Sequence, residues 1–291
     1  MAACTAMLDK EHQSLATRPQ DSNSYSLGNI GDHNVVITCL PSGIYGTTSA
    51  ATVAMDMTHS FPSIRYRFMV GIGGGIPSKK NDIRLGDIVL CKPTDTISGV
   101  FQYHMRKKLQ GSRSLSTGAL NKPPHTLLTA IAILQSQHLV NESKISSYLS
   151  SMHTKIGGKW CNFKRPHPAT DRLFKSEFFH VEPNDDTCAK CAAAGEQTRP
   201  VRDTDQPQIY YGRIASGNSL VRESCIRDRL SEQGFLAFEM ESAGLMDRFP
   251  CLVIRGICDY SDSHKNKGWQ GYAAATAAAY AKEILSVIPA G

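Results

Sequence analysis

The feature that most limits what this chain can become is a repeated change of hydrophobic rhythm. Short β-branched or apolar runs, "HNVVITCL" (33–40), "RFMVGIGGG" (67–75) and "GDIVLCK" (86–92), are interleaved with the alanine-rich stretch "TTSAATVAMDMTHS" (47–60), whose spacing is helical. Strands alternating with helices build βαβ units and a mostly parallel sheet covered on both faces, so the fold class is α/β. The rhythm returns downstream. "PPHTLLTAIAILQSQ" (123–137) reads as a helix with prolines in its first turn, and "QIYYGRIAS" (208–216) as a strand. "SLVRESCIRDRLSEQ" (219–233) follows as a helix, "LAFEM" (236–240) as a strand, "ESAGLMDRF" (241–249) as a short helix and "CLVIRGICD" (251–259) as a buried strand. The alanine content of "WQGYAAATAAAYAKEILSVI" (269–288) makes it a helix. The interval 151–207 breaks the pattern, mixing Gly, Pro, Asp, Lys and Cys, and reads as a long irregular excursion. No linker divides the chain, so one domain is expected over 1–291.

Composition narrows the class further. Hydrophobic residues make up 41% and charged residues 20%, the balance of a soluble globular protein, and no run of roughly 18 apolar residues could span a bilayer. The segment "MAACTAMLDKEHQ" has neither the basic nor the apolar region of a secretory signal. The nine cysteines, several in strand-like runs (Cys39, Cys91, Cys251, Cys258), suit reduced, buried thiols, and a cytoplasmic location is expected. A net charge of +6 is spread thinly, with local clusters at Lys79-Lys80, Arg106-Lys107-Lys108 and 264–267. No nucleic-acid-binding motif accompanies them; a nucleotide phosphate or plain solvent would satisfy them equally.

Three motifs carry chemistry. "GIGGGIP" (71–77) follows a strand and could bring backbone N–H groups to an anion, but it matches neither a P-loop nor a dinucleotide fingerprint, and a tight turn explains it as well. "CAKC" (188–191) is half of a zinc site. A second pair at zinc-ribbon spacing is absent, so no metal centre is expected, and Cys188 and Cys191 stand only as candidates beside Cys161, His167 and His180. Most telling are the carboxylates of "FEMESAGLMDRFPCLVIRGICDYSD" (238–262). Glu239 and Glu241 end one strand and Asp259 the next; if those strands run parallel, all three reach the sheet rim where α/β proteins bind ligands. Burying a carboxylate costs several kcal/mol unless it is paired, so a purely structural role requires a partner such as Arg255 or helix N-terminal N–H groups.

At these residues the sequence resembles the nucleoside phosphorylase and nucleosidase superfamily, to which purine nucleoside and uridine phosphorylases and methylthioadenosine/S-adenosylhomocysteine nucleosidase belong. "FEMESAGLMD" and "VIRGICDYSDSHKN" look like its C-terminal signature. "LPSGIYGTTSAA" (40–51), "MVGIGGGIPSKKNDIRLGDIVL" (69–90) and "GRIASGNSLV" (212–221) fall in the family's order, closest to a fungal-type branch with a C-x-x-C excursion. The resemblance implies a single-domain three-layer α/β/α fold around a mixed, mostly parallel sheet, and an enzyme that cleaves the N-glycosidic bond of purine nucleosides or nucleotides. No metal or organic cofactor is implied for that chemistry, and the family is usually homo-oligomeric, with a neighbouring subunit completing the pocket.

Residue roles come with it. Met240 would pack under the ribose and Glu241 accept hydrogen bonds from its hydroxyls, its charge favouring the cationic sugar of an oxocarbenium-like transition state. Asp259 would be the general acid toward purine N7. Asn218, Leu220 and Val221 would hold the base, with Gln102 and Tyr103 as looser candidates for the pocket wall. The anion site of classical phosphorylases carries an arginine and a serine at the positions of Met69 and Ile72, flanking Gly71; neither side chain here can bind phosphate, which favours water as the nucleophile. Related immune-effector members remove adenine from ATP. Two rivals stand beside a hydrolase: a phosphorylase using phosphate held by Gly43, Thr47, Thr48, Gly73 and Gly74 at a glycine-rich turn, and a catalytically silent nucleoside-binding module. The second rests on an expected absence of the family's first strand and its water-activating glutamate, which would leave a gap or an unpaired edge in the sheet.

Overall fold

A computed structural model of the chain describes residues 1–94, 98–103, 106–108, 114–116, 119–181, 188–219, 221–265 and 267–290, with backbone alone for 106–108 and 114–116. Its elements run in the order α1 (Ala2–Ala6), β1 (Lys10–His12), β2 (Ser26–Ile30), β3 (His33–Ile37), α2 (Thr47–Ser60), β4 (Phe68–Gly75), β5 (Ile88–Cys91) and β6 (Val100–Gln102). There follow β7 (Arg106–Lys108), β8 (Ser114–Ser116), α3 (His125–Gln137), α4 (Ile145–Ile156), β9 (Ile209–Ser216), α5 (Ser224–Glu232), β10 (Phe235–Glu239), β11 (Leu252–Asp259) and α6 (Gln270–Leu285). Every strand and helix expected from the βα rhythm is present except the helix at 241–249. There the chain makes a 3-10 turn, Ser242–Gly244, and Gly244 lies against the backbone of Thr47 with no room for a Cβ.

The main sheet has the order β10-β4-β11-β5-β9-β6, and β10 also pairs with β9, so five of its strands close into a ring with β6 alongside β9. The pairs β11–β4, β5–β9, β6–β9 and β10–β9 are parallel; β10–β4 and β11–β5 are antiparallel. This is a mixed, mostly parallel α/β sheet. One expectation fails in it. β10 and β11 both flank β4 but run in opposite directions, so their carboxyl ends do not share a rim.

Strand β11 is buried from Leu252 to Cys258, and α6 lies over it and over β4. Small residues make that approach close: Ala273, Ala275, Ala277, Ala278 and Ala279 of α6 are all buried. Helices α1, α3 and α4 pack against α6, while α5 packs on β10. Helix α4 has no counterpart in the sequence reading. Its serines mask a stripe of Ile145, Leu149 and Met152 at helical spacing, and Ser150 and Ser151 donate to the carbonyls four residues back. The remainder of the 151–207 interval holds three short 3-10 helices, Gly157–Asn162, Pro168–Thr170 and Ala193–Gly195.

Strands β1, β2 and β3 form a separate antiparallel sheet, β2 and β3 joined by the two-residue turn Gly31–Asp32, where Gly31 supplies a φ of 53°. Among the described residues, β3 pairs only with β2, and β4 from Phe68 to Gly73 pairs only with β11. Their other edges line one cavity of about 1170 Å³, walled also by Met57 and Leu285 and reaching Glu241 and Arg255 at its inner end. All nine cysteines are free thiols, with Cys91, Cys251 and Cys258 buried as expected, but Cys39 exposed just past the end of β3. No helix among the described residues is long and apolar enough to cross a membrane.

Candidate active site

The two glutamates of the Glu-Met-Glu run do different things. Glu239 ends β10 fully buried, its side chain ion-paired with Arg255 and accepting from Ser242 Oγ (2.5 Å), Ser242 N (2.9 Å) and Glu241 N (3.0 Å). Burial alone would raise its pKa; the Arg255 charge and these donors outweigh it and hold the carboxyl below its ordinary value. Glu239 is therefore a structural carboxylate, with the partner that such a role requires. Glu241 shares the same guanidinium, Arg255 Nη2 to Oε2 at 3.0 Å, but its side chain is 14% exposed against 0% for Glu239. Burial and the neighbouring Glu239 charge push its pKa up against the pull of Arg255. Met240, between them, is half-buried. Because β10 runs antiparallel to β4, this pair lies beside the middle of β11, at Arg255, and not at its end.

The glycine run explains how Arg255 fits. Phe68–Gly75 is one continuous strand, so Gly73 and Gly74 do not form the expected turn. Their lack of side chains serves close approach instead. A Cβ on Gly71 would overlap Arg255 Nη1, and one on Gly73 would sit 2.6 Å from the Phe238 carbonyl oxygen. A Cβ on Gly74 would overlap Ser261 Oγ and lie 2.8 Å from Asp259 Oδ1.

Asp259 reaches Gly74 through an irregularity. Ile257 is opposite Gly73, but Asp259 rather than Cys258 is opposite Gly74, a bulge that re-aims the strand's last side chain. Its Oδ1 accepts from Ser261 N (2.8 Å) and its Oδ2 pairs with Lys265 Nζ (2.9 Å). The sequence reading placed Lys265 only in a diffuse basic cluster; its position six residues past Asp259 was the available signal. Lys79 and Lys80 are exposed, and the side chains of Arg106, Lys107 and Lys108 lie outside the described residues.

Asn218 follows β9 and bridges to α2: its Oδ1 accepts from Thr47 N (2.9 Å) and Thr47 Oγ1 (3.0 Å), capping a helix whose own cap, Gly46, offers no side chain. Gln102 is opposite Ser216, and Tyr103 Oη donates to the Ser219 carbonyl at 2.9 Å, so both border the Ser216–Ser219 turn. Val221 is buried with Phe238, Ala215 and Ile76 and acts as packing; Leu220 lies outside the described residues. Gly43 is exposed at a φ of 77° with open space around its Cα, and Thr48 is exposed on the first turn of α2. Of the expected anion set, Thr47 is bonded to Asn218 and Gly74 lies opposite Asp259. Met69, Gly71 and Ile72 all lie in β4, where the nearby guanidinium of Arg255 is already shared by two carboxylates. The large cavity touches Glu241 but not Asp259 or Asn218, so it is no guide to where those two side chains act.

A ring of mixed strands thus carries a bulged aspartate, an arginine-bridged Glu-Met-Glu run and a helix capped by Asn218. The sequence matches the family model described as "Phosphorylase superfamily" over residues 6–287, and the chain belongs to that superfamily. It is 44% identical over 292 aligned residues to a nucleotide-binding leucine-rich repeat (NLR)-like protein of Hyaloscypha variabilis, covering 99% of this chain but 28% of that protein. A 5'-methylthioadenosine/S-adenosylhomocysteine nucleosidase of Mycobacterium bovis is 31% identical over 90 residues, 29% of this chain and 35% of that one. The chain thus spans about a quarter to a third of the length of these relatives. Among solved structures, the nucleosidase of the same name from S. pneumoniae, with a transition-state inhibitor, superposes with a TM-score of 0.59 at 16% identity, covering 99% of this chain and 94% of that one. Futalosine hydrolase of Helicobacter pylori gives 0.58 at 14% identity, covering 98% and 91%. These two structural likenesses show the fold.

Proposed function

We propose that the chain hydrolyses the N-glycosidic bond of purine nucleosides or nucleotides. The observation that carries this reading is the state of Arg255. Its guanidinium lies against Gly71 of the glycine strand, and Glu239 and Glu241 both hold it, so its charge is not left over to bind a phosphate nucleophile. Water is then the acceptor of the ribosyl group. Glu241, the half-buried member of the pair, takes the sugar hydroxyls with Met240 beneath the ring, and its charge favours the oxocarbenium-like sugar. Asp259 protonates N7 as the C1′–N9 bond breaks and its electron pair passes to the base, while water adds to C1′ and gives up a proton to solvent, from which Asp259 is reprotonated. Asn218, Gln102 and Tyr103 gather around one turn and form the base side of the site.

Base release from adenosine, inosine, methylthioadenosine and ATP, measured with and without phosphate, tests the reading. Release independent of phosphate is expected, with Asp259→Asn slower by about 10²- to 10⁴-fold at unchanged circular dichroism. Release that requires phosphate would replace the hydrolase with a phosphorylase. Binding of these ligands without any release would identify a silent binding module.

A further inference from the structure

The excursion gathers a group of side chains that glycosidic bond cleavage does not use. His180, Cys188 and Cys191 bring one nitrogen and two sulfurs within 4.8 Å of one another. Tetrahedral zinc, with Zn–S of about 2.3 Å and Zn–N of about 2.0–2.1 Å, needs such atoms somewhat under 4 Å apart, a contraction that side-chain rotation supplies. The backbone is already shaped for it. Cys191 N donates to Cys188 O at 3.1 Å, closing a tight turn, and Arg172 donates to the carbonyls of both cysteines, which fixes the backbone of the turn. Cys161 and His167, the other candidates, are engaged elsewhere: Cys161 Sγ contacts Asn162, and His167 Nδ1 caps the Pro168–Thr170 turn.

A second, independent observation points to a ligand. His264, on the loop after β11, is 5% exposed, and among the described residues neither ring nitrogen has a hydrogen-bond partner. Its ring stacks on Phe174 (centroids 3.8 Å apart) and meets the ring of His180 edge-on at 5.4 Å. Asp262 Oδ1 lies 3.8 Å from its Nδ1, too far for a hydrogen bond, and a buried imidazole whose nitrogens make no hydrogen bond is costly unless something completes it.

We propose that Cys188, Cys191 and His180, with His264 as fourth donor, form a structural zinc site that ties the excursion to the loop bearing Asp259 and Lys265. Two thiolates and two imidazoles suit zinc, whose closed tetrahedral sites stabilise folds without redox chemistry. On binding, the two thiols release their protons to solvent and both imidazoles bind neutral. His264 directly precedes Lys265, the partner of Asp259, so the metal fixes the segment that positions that pair.

Elemental analysis of untagged protein purified under reducing conditions is expected to show about one zinc per chain, and Cys188→Ser/Cys191→Ser to show none. Should that variant not fold, wild-type protein stripped with a chelator and titrated with cobalt(II) serves instead. It should develop the thiolate charge-transfer and intense visible bands of a tetrahedral site, and melt higher as it fills. His264→Phe, which keeps the stacking on Phe174, should weaken cobalt binding by roughly tenfold or more. Equal affinity in that variant would remove His264 from the site. Folded, stripped protein that gives no cobalt spectrum, or protein isolated with a Cys188–Cys191 disulfide and no metal, would overturn the proposal.

Discussion

Two arginine-held regions keep charge inside this molecule in opposite ways. At the Glu-Met-Glu run one guanidinium, 3% exposed, serves two carboxylates within the strand ring, and every group around it is set by strand register. In the excursion, Arg172, Arg199 and Arg202, 13–18% exposed, each pin several loop groups. Arg172 holds Glu196 and two carbonyls, Arg199 holds Asp171 and Tyr260 Oη, and Arg202 holds Asp87 and Tyr210 Oη. The first arrangement concentrates its cost in one desolvated cluster. The second distributes it over bonds that water can partly replace, which lets a segment with little regular structure keep a defined course.

The sharpest way to break this contrast is Arg255→Met. It strands Glu239 without a counter-charge, and a loss of about 3–5 kcal/mol in denaturant unfolding is expected. Glu239→Gln in the same chain should recover much of it, since the uncompensated charge, not the lost contact, is the source of the cost. A loss under about 1 kcal/mol for the single variant would mean that the cluster is not desolvated as its burial indicates.

Next in size is Gly74→Ala. The new methyl group would meet Ser261 and Asp259, so about 1–3 kcal/mol of overpacking is expected together with a fall in base release, because the bulge that aims Asp259 must shift. Its counterpart in the excursion is Gly158→Ala, where a Cβ meets nothing within 4 Å and stability should stay within about 0.5 kcal/mol. Equal effects at both glycines would show that close approach is not why β4 carries its run of glycine. Arg199→Met should fall between these, at about 1–2 kcal/mol, since Asp171 keeps its bond from Tyr260 Oη.

The contrast also marks what could be read from sequence. The βα rhythm located β4, β5, β9, β10 and β11 and helices α2, α3 and α6, because each buries a contiguous or periodic apolar set. Asp259 and Glu241 stood out as carboxylates at strand ends. Three things escaped. Strand direction did: periodicity says nothing about polarity, so the antiparallel placement of β10 against β4 could not be seen, although Arg255 stood out as the partner a structural carboxylate there would need. Helix α4 hid behind serines, whose low propensity masks an apolar stripe of three residues. The sequence leaves "GIGGG" open between an anion-binding loop and a tight turn and does not suggest a continuous strand, because glycine signals either a positive φ or a close neighbour, and only the packing of Arg255, Phe238 and Ser261 decides which.

The smallest effect separates the two members of the buried cluster by the sign of a pH slope. Glu239 titrates below its ordinary value of 4.5 in the folded chain, so it binds protons less readily than in the unfolded one, and stability is lost as pH falls below 4.5 toward its folded pKa. Glu241 titrates above 4.5, so the folded chain holds its proton longer. From this group stability declines as pH rises from 4.5 through its folded pKa, the reverse sign. Glu241→Gln should therefore remove a shallow decline on the alkaline side of 4.5 while leaving the acid-side loss in place, both read from denaturant midpoints across the pH range. If the substitution instead removes the acid-side loss, the proton-excluding carboxylate is Glu241, and the structural and sugar-binding roles of the two glutamates must be exchanged.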